Sequence, residues 1–189
     1  HLDFRRQRQM CIRDSSNAEA GVDYIALSDM MDGRVSEVRG ALEEGGYHET
    51  GILSYSVKYA SSFYGPFRGA ASSSPEFGDR KSHQMDVRSG YGEAILEALQ
   101  DEKEGADIIM IKPGLPYLDV LKVVSDEVLR PVAVYNVSGE YSMVHKSCSD
   151  SKSRGLMIAE ILSSFARSGA DIIVTYHARE VFSEKLLRE

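Results

Sequence analysis

Two lysines in this chain are placed where an amine can do covalent chemistry. Lys58 and Lys112 stand at or just beyond the ends of two short β-branched runs, Ile52–Ser56 and Ile108–Lys112, which read as buried strands. A lysine at a strand end has an ordinary explanation, since that is where a chain leaves the core. Two of them on consecutive, hence neighbouring, strands carry more weight. Like charges held together disfavour the protonated amine, and burial acts in the same direction. A neutral amine is what attack on a carbonyl to form a Schiff base requires.

The connection that follows Lys58 supports a substrate site. From Tyr59 to Gly90 it is long, rich in Ser, Gly, Pro and aromatics, and without helical period. Loops of that length inside compact domains are functional lids or disordered segments. It carries Arg68, Arg80, Lys81 and Gln84 beside Phe63, Tyr64, Phe67 and Phe77. Arginine forks match carboxylates, and aromatic rings exclude water on closure; the plain alternative is a solvated surface loop. His83, His145 and His177 show no metal-ligand spacing. Asp29 and Asp32 suit turn or capping roles better than acid–base ones. No GxGxxG or GxxxxGK[ST] is present, so no nucleotide fingerprint appears.

The elements that must position these groups come from an internal repeat. EAGVDYIALS from Glu19, KEGADIIMIK from Lys103 and RSGADIIVTY from Arg167 share one design: helix end, glycine, small residue, aspartate, strand. Glycine closes a helix in the left-handed conformation, and short Ile/Val-rich runs suit strands buried on both faces. Five strands are expected, Tyr24–Ser28, Ile52–Ser56, Ile108–Lys112, Val132–Asn136 and Ile172–Tyr176. Between them Val35, Val38 and Leu42, then Ile95, Ala98 and Leu99, Leu118, Leu121 and Val124, and Ile158, Ile161, Leu162 and Phe165 recur at helical spacing. The alternation means parallel α/β with right-handed crossovers. A complete (β/α) barrel takes about 250 residues and eight strands. Two architectures remain, a five-stranded flavodoxin-like sheet and a truncated barrel; in both, function sits at the C-terminal strand ends.

Composition limits the setting. With 189 residues, 42% of them apolar, the chain can bury one substantial core. A net charge of −7 disfavours nucleic acid or an anionic membrane as partner, and no apolar run approaches membrane-span length. Two cysteines, Cys11 and Cys148, are too few for a disulfide framework and suit a reducing, cytoplasmic setting. Residues 1–15 hold four arginines against two aspartates, without helical or strand period. They are set aside as a non-family N-terminal segment, an artefact or a disordered arm, and residues 16–189 are expected to form the partial barrel domain.

The blocks SDMMDGR, SYSVKYASSFYGPFR, FGDRK, QMD, EGADIIMIKPGLPYLD, YNVSGEYSM and GADIIVTYHA, between Glu19 and Arg179, resemble the porphobilinogen synthase (5-aminolevulinate dehydratase) family in order and nearly in spacing. That resemblance implies a truncated TIM (β/α)8 barrel carrying strands four to eight. It implies a hydro-lyase of tetrapyrrole biosynthesis that condenses two molecules of 5-aminolevulinate through lysine Schiff bases. Lys112 would hold the substrate that becomes the propionate side of the product, and Lys58 the second. Arg68, Arg80 and Gln84 would bind the second substrate's carboxylate, Ser138 and Tyr176 the first one's, while Tyr64 and Tyr135 line the pocket. Glu93 would correspond to a regulatory-magnesium ligand.

The resemblance further implies zinc or magnesium as cofactor and a homo-oligomer, an octamer, in the cytosol or a plastid. The family's first three strands, its metal-binding loop and its N-terminal arm have no counterpart in this sequence, so the chain itself is expected to be a poor catalyst. Lys146–Arg154 lacks the Ala/Gly-rich pattern of the family and reads as a loop. Two other functions stay open at this point. Another class I aldolase would give Lys58 no role, and a non-catalytic five-stranded binding module would have no imine chemistry at all.

Overall fold

A computed structural model describes residues 12–65 and 83–187. The chain alternates helix and strand: α1 (12–19), β1 (Tyr24–Leu27), α2 (Arg34–Glu44), β2 (Gly51–Lys58), α3 (Tyr91–Glu104), β3 (Ile108–Lys112), α4 (Leu118–Glu127), β4 (Val132–Asn136), α5 (Ser138–Ser147), α6 (Ser151–Arg167), β5 (Ile172–Thr175) and α7 (Ala178–Glu184). Single 3-10 turns lie at Ser62–Tyr64 and Leu115–Tyr117.

The five strands form one parallel sheet in the order β1-β2-β3-β4-β5. A flavodoxin-like sheet would place its first strand inside, in the order 2-1-3-4-5. Sequential order with right-handed crossovers instead keeps the connecting helices on one face, as in a barrel wall. The described sheet is a half-barrel. Its helix-facing side is densely filled by Leu42, Ile52, Ile109, Ile111, Leu121 and Phe165, all fully buried. Its other side carries a small second cluster, Ile108, Met110 and Ala133, edged by the half-buried Leu53, Tyr55, Tyr135 and Val174.

The repeated Gly-x-Asp corner has a clear physical role. Gly105 and Gly169 take left-handed φ values of 106° and 103°, a region that favours glycine. The aspartate two residues on then joins the preceding strand. Asp107 accepts the Ile52 N–H at 2.8 Å, and Asp171 accepts that of Val132 at 2.9 Å. Each carboxylate thus satisfies a strand-start donor that the sheet ladder alone leaves open.

Two stretches differ from the sequence reading. Lys146–Arg154 is a loop only at its centre, because α5 runs to Ser147 and α6 starts at Ser151. The Asp150 side chain caps α6 by accepting the Ser153 N–H at 2.9 Å, and Val144, Gly155 and Ile158 supply the buried face that the polar run conceals. The other is the N-terminal segment. Helix α1 takes in its residues 12–15 and continues to 19 in the expected domain, with Asp14 buried against the guanidinium of Arg34, itself also bonded to Asp29 at 3.2 Å.

Replacing Asp107 by Ala is expected to lower unfolding free energy by about 1–3 kcal/mol, the cost of orphaning a partly buried donor. Asp107→Asn keeps an acceptor and loses only the ion pair to Arg39, which costs under about 1 kcal/mol at a partly exposed site. Urea denaturation of the two variants measures the difference.

Candidate active site

Strand side chains alternate between faces, so a residue's parity decides which side it serves. In β3, Ile108 and Met110 face away from the helices, Ile109 and Ile111 face them, and Lys112 therefore points to the barrel interior. In β2, Leu53 and Tyr55 face the interior and Ile52 faces the helices. Simple alternation would send Lys58 to the helix side with Ile52. A β-bulge prevents this. Leu53 and Ser54 pair with Ile108 and Ile109, but Val57 and Lys58 pair with Ile111 and Lys112, so the register shifts between Ser54 and Val57. The extra residue in β2 reverses the parity. Val57 enters the helix-facing core, and Lys58 becomes the direct cross-strand partner of Lys112.

Tyrosine rings surround the two amines. Lys112 Nζ lies 4.2 Å from the Tyr135 ring centroid, 5.1 Å from Tyr55 and 5.4 Å from Tyr64. Lys58 Nζ lies 5.5 Å from the same Tyr55 ring and donates to the Ser28 carbonyl at 2.6 Å. Lys58 is buried and Lys112 half-buried. The Tyr64 hydroxyl donates to the carbonyls of Tyr59 and Lys112, at 2.9 and 3.2 Å, tying its ring to the lysine's own backbone. Burial, followed by a hydrogen bond with Tyr176, pushes the Tyr135 phenol well up. Burial, followed by the charge of Tyr176, pushes Tyr55 up as well. Both remain neutral phenols, able to donate a hydrogen bond.

The loop after Lys112 is fixed by a buried carboxylate. Glu140 accepts the N–H groups of Gly114 and Leu115 on one oxygen, and those of Val137 and the Asn136 side chain on the other. Burial pushes its carboxyl above the usual range, while these four donors pull it down. The polar chain continues. Thr175 Oγ1 donates to Asn136 at 2.8 Å and accepts from the His177 N–H at 3.1 Å, so the ends of β3, β4 and β5 share one network. Two glycines permit this closeness. A Cβ on Gly114 would meet the Phe165 ring at 2.5 Å, and one on Gly139 would meet the backbone oxygen of Phe63 at 2.4 Å. Gly139 thereby lets the Ser62–Tyr64 turn lie directly on the start of α5.

The structure brings Lys58, Lys112, Tyr64, Tyr135 and Tyr176 to one end of the sheet. Tyr176, 43% exposed, has its ring 6.3 Å from that of Tyr135. Ser138, half-buried, opens α5 two residues before Glu140. Gln84 is buried, with its Oε1 unpartnered among the described residues, and it precedes Met85, whose N–H donates to the Lys58 carbonyl at 3.0 Å. Arg68, Arg80, Lys81, Phe67 and Phe77 lie outside the described residues. Glu93, in the first turn of α3, is exposed and joins no set of three metal-ligating side chains among the described residues. Asp29 is a turn residue that accepts the Met31 N–H and binds Arg34.

Three features escaped the sequence reading. Tyr55 touches both amines, and only its parity with Leu53 hints at it. Glu140 stands at the third helical position after Val137, a capping-box spacing that could have marked it. The histidines show no ligand spacing in sequence, yet the fold stacks His145 on His177 with ring centroids 5.6 Å apart.

With this geometry in hand, similarity to known proteins is informative. The Delta-aminolevulinic acid dehydratase family profile matches residues 7–184. A delta-aminolevulinic acid dehydratase of Helicobacter pylori is 53% identical over 165 residues, 87% of this chain and 51% of that protein. A chloroplastic one of Oryza sativa is 50% identical over 173 residues, 91% of this chain and 40% of that protein. The crystal structure of delta-aminolevulinic acid dehydratase (porphobilinogen synthase) from Toxoplasma gondii ME49, in complex with the reaction product porphobilinogen, superposes with a TM-score of 0.88. It is 46% identical and covers 94% of this chain and 51% of that one. The chain spans about half the length of the relatives it matches, or less.

Glu140→Gln is expected to destabilise the fold by about 2–4 kcal/mol, because the new amide presents donors to two N–H groups that lose their acceptor. Chemical denaturation measures the loss. Amide hydrogen exchange at Gly114, Leu115 and Val137 should rise with it.

Proposed function

The chain belongs to the delta-aminolevulinic acid dehydratase family, and on that premise we propose that it carries the substrate-lysine site of a porphobilinogen synthase. The reaction condenses two 5-aminolevulinate molecules asymmetrically, forming one carbon–carbon and one carbon–nitrogen bond and releasing two waters. The observation that carries this reading is the in-register pairing of Lys58 with Lys112 on the barrel's inner face. Two ketone substrates call for two amines side by side, whereas a single-lysine aldolase leaves the second without purpose.

In this reading the neutral Lys112 amine attacks the ketone carbon of the first substrate, giving a carbinolamine that loses water to form an imine. The rings of Tyr135, Tyr55 and Tyr64 flank the nitrogen and limit its directions of approach. Tyr176 and Ser138 hold that substrate's carboxylate; a 43% exposed phenol beside Tyr135 and a hydroxyl at the start of α5 suit the task. Lys58 holds the second substrate, whose carboxylate goes to Arg68, Arg80 and Gln84. For that task Gln84 would present its amide N–H groups, since its oxygen can only accept; that oxygen is buried and has no partner among the described residues.

Zinc or magnesium belongs to the family reading as an activator of the second substrate. Among the described residues no set of three His, Cys, Asp or Glu ligands adjoins the lysines, so those residues do not fit such an ion and no step is derived through it. Assembly into a homo-oligomer, and a setting in the cytosol or a plastid, are part of the same proposal. No helix among the described residues is long and apolar enough to cross a membrane.

Borohydride reduction in the presence of 5-aminolevulinate tests the proposal, because reduction fixes an imine that otherwise reverses. Peptide mass mapping is expected to find the adduct on the Lys112 peptide and to lose it in Lys112→Ala. An adduct-free Lys112 peptide would remove Lys112 from the Schiff-base role.

A further inference from the structure

On the far side of Tyr176 lies a second cluster that the lysine chemistry does not use. We propose that His145, His177 and Glu180 form a site for a divalent transition cation of the zinc class. His177 and Glu180 stand three residues apart at the start of α7, and His145 reaches them from the last turn of α5. Glu180 Oε2 is 3.1 Å from His177 Nδ1 and 3.7 Å from His145 Nε2. One donor atom from each of the three residues lies within 4.8 Å of the other two. A cation about 2.0–2.2 Å from each nitrogen and oxygen bridges donors at such separations after small rotations of the exposed side chains.

The surroundings suit a cation. His177 is 1% exposed and turns its Nδ1 toward Glu180 Oε2, so Nδ1 is the ring nitrogen that would meet an ion there, while its buried Nε2 has no hydrogen-bond partner among the described residues. Glu180 Oε2 lies between the two imidazoles. Arg154 Nε takes the other oxygen, Oε1, at 2.8 Å and turns Oε2 toward the histidines, an outer-shell orientation of the kind that fixes ligating carboxylates.

The His145 side chain is 34% exposed, which leaves water room to complete the coordination. Two imidazoles and one carboxylate select zinc, cobalt or nickel over the hard cations magnesium and calcium. Bound there, an ion would also pin the turn from β5 into α7 that carries Tyr176. The site itself stands independently of the lysine reading.

Calorimetric titration of the chelator-treated chain with zinc chloride, paired with thermal unfolding and with cobalt(II) absorption, tests the site. One ion per chain, a raised unfolding midpoint and visible cobalt d–d bands are expected. His145→Ala and Glu180→Gln should each weaken zinc affinity about tenfold or more, while Cys148→Ser leaves it unchanged. His145 is partly exposed, so its variant folds even if a change at buried His177 does not. Absence of zinc binding, wild-type affinity in both ligand variants, or loss of binding in Cys148→Ser would each overturn the proposal.

Discussion

The site depends on one extra residue in β2. A strand offers only two faces, and a one-residue shift exchanges them. Ile52 begins β2 on the helix side, and without the bulge between Ser54 and Val57 the Lys58 ammonium would be driven into the packed layer beneath α2 and α3. The bulge is itself held from that layer. Ser54 Oγ donates to the Asp101 carboxylate of α3 at 2.6 Å, and the Ser56 hydroxyl donates back to the Ser54 carbonyl at 3.5 Å. Burial pushes the Asp101 carboxyl up, and the neighbouring Ser54 and Ser56 hydroxyls pull it down. Two small hydroxyl residues and one carboxylate thus provide the polar partners that an irregular, buried stretch of strand needs.

A second constraint keeps the other lysine still. Lys112 is followed directly by Pro113 and Gly114, both buried, with Gly114 packed closely on the Phe165 ring. The Glu140 carboxylate fastens this turn to the end of β4, and Asn136 and Thr175 pass the connection on to β5. Hydrogen bonds to an ionised, buried carboxylate are among the stronger ones a protein makes. The three strand ends are thereby tied into one hydrogen-bonded unit, the kind of fixed placement that the proposed attack on a carbonyl carbon would need. The Ser62–Tyr64 turn joins that unit through Gly139 and the Tyr64 hydroxyl.

Much of this was legible from residues. Strand positions followed from β-branched runs, and β3 and β4 begin and end where those runs do. The Gly-x-Asp repeat announced parallel corners, and the two lysines at consecutive strand ends announced that their side chains would be neighbours. The bulge was not legible, because SYSVK reads equally well as unbroken alternation. Nor was strand order, which separates a barrel wall from a doubly wound sheet and rests on long-range pairing. The helix start at Ser151 was hidden by a polar run whose capping aspartate looks like loop composition. His145 lies on α5 and His177 in the turn before α7, so only tertiary structure could stack them.

The sheet's two faces explain how the amines are treated. The helix side excludes water completely, and the inner side is covered only partly, since Leu53, Tyr55, Tyr135 and Val174 remain half-buried. Water near an amine favours its charged form and screens every directed charge. The tyrosine faces also favour the ammonium, each by about 0.5–1 kcal/mol at an exposed site and more when dry. Opposing them is the neighbouring amine, directly across the ladder, where like charges repel. The same rings that attract the charge also displace water, and displacing water strengthens that repulsion. How fully the inner face is covered therefore sets how strongly the two side chains, brought opposite each other by the bulge, feel one another.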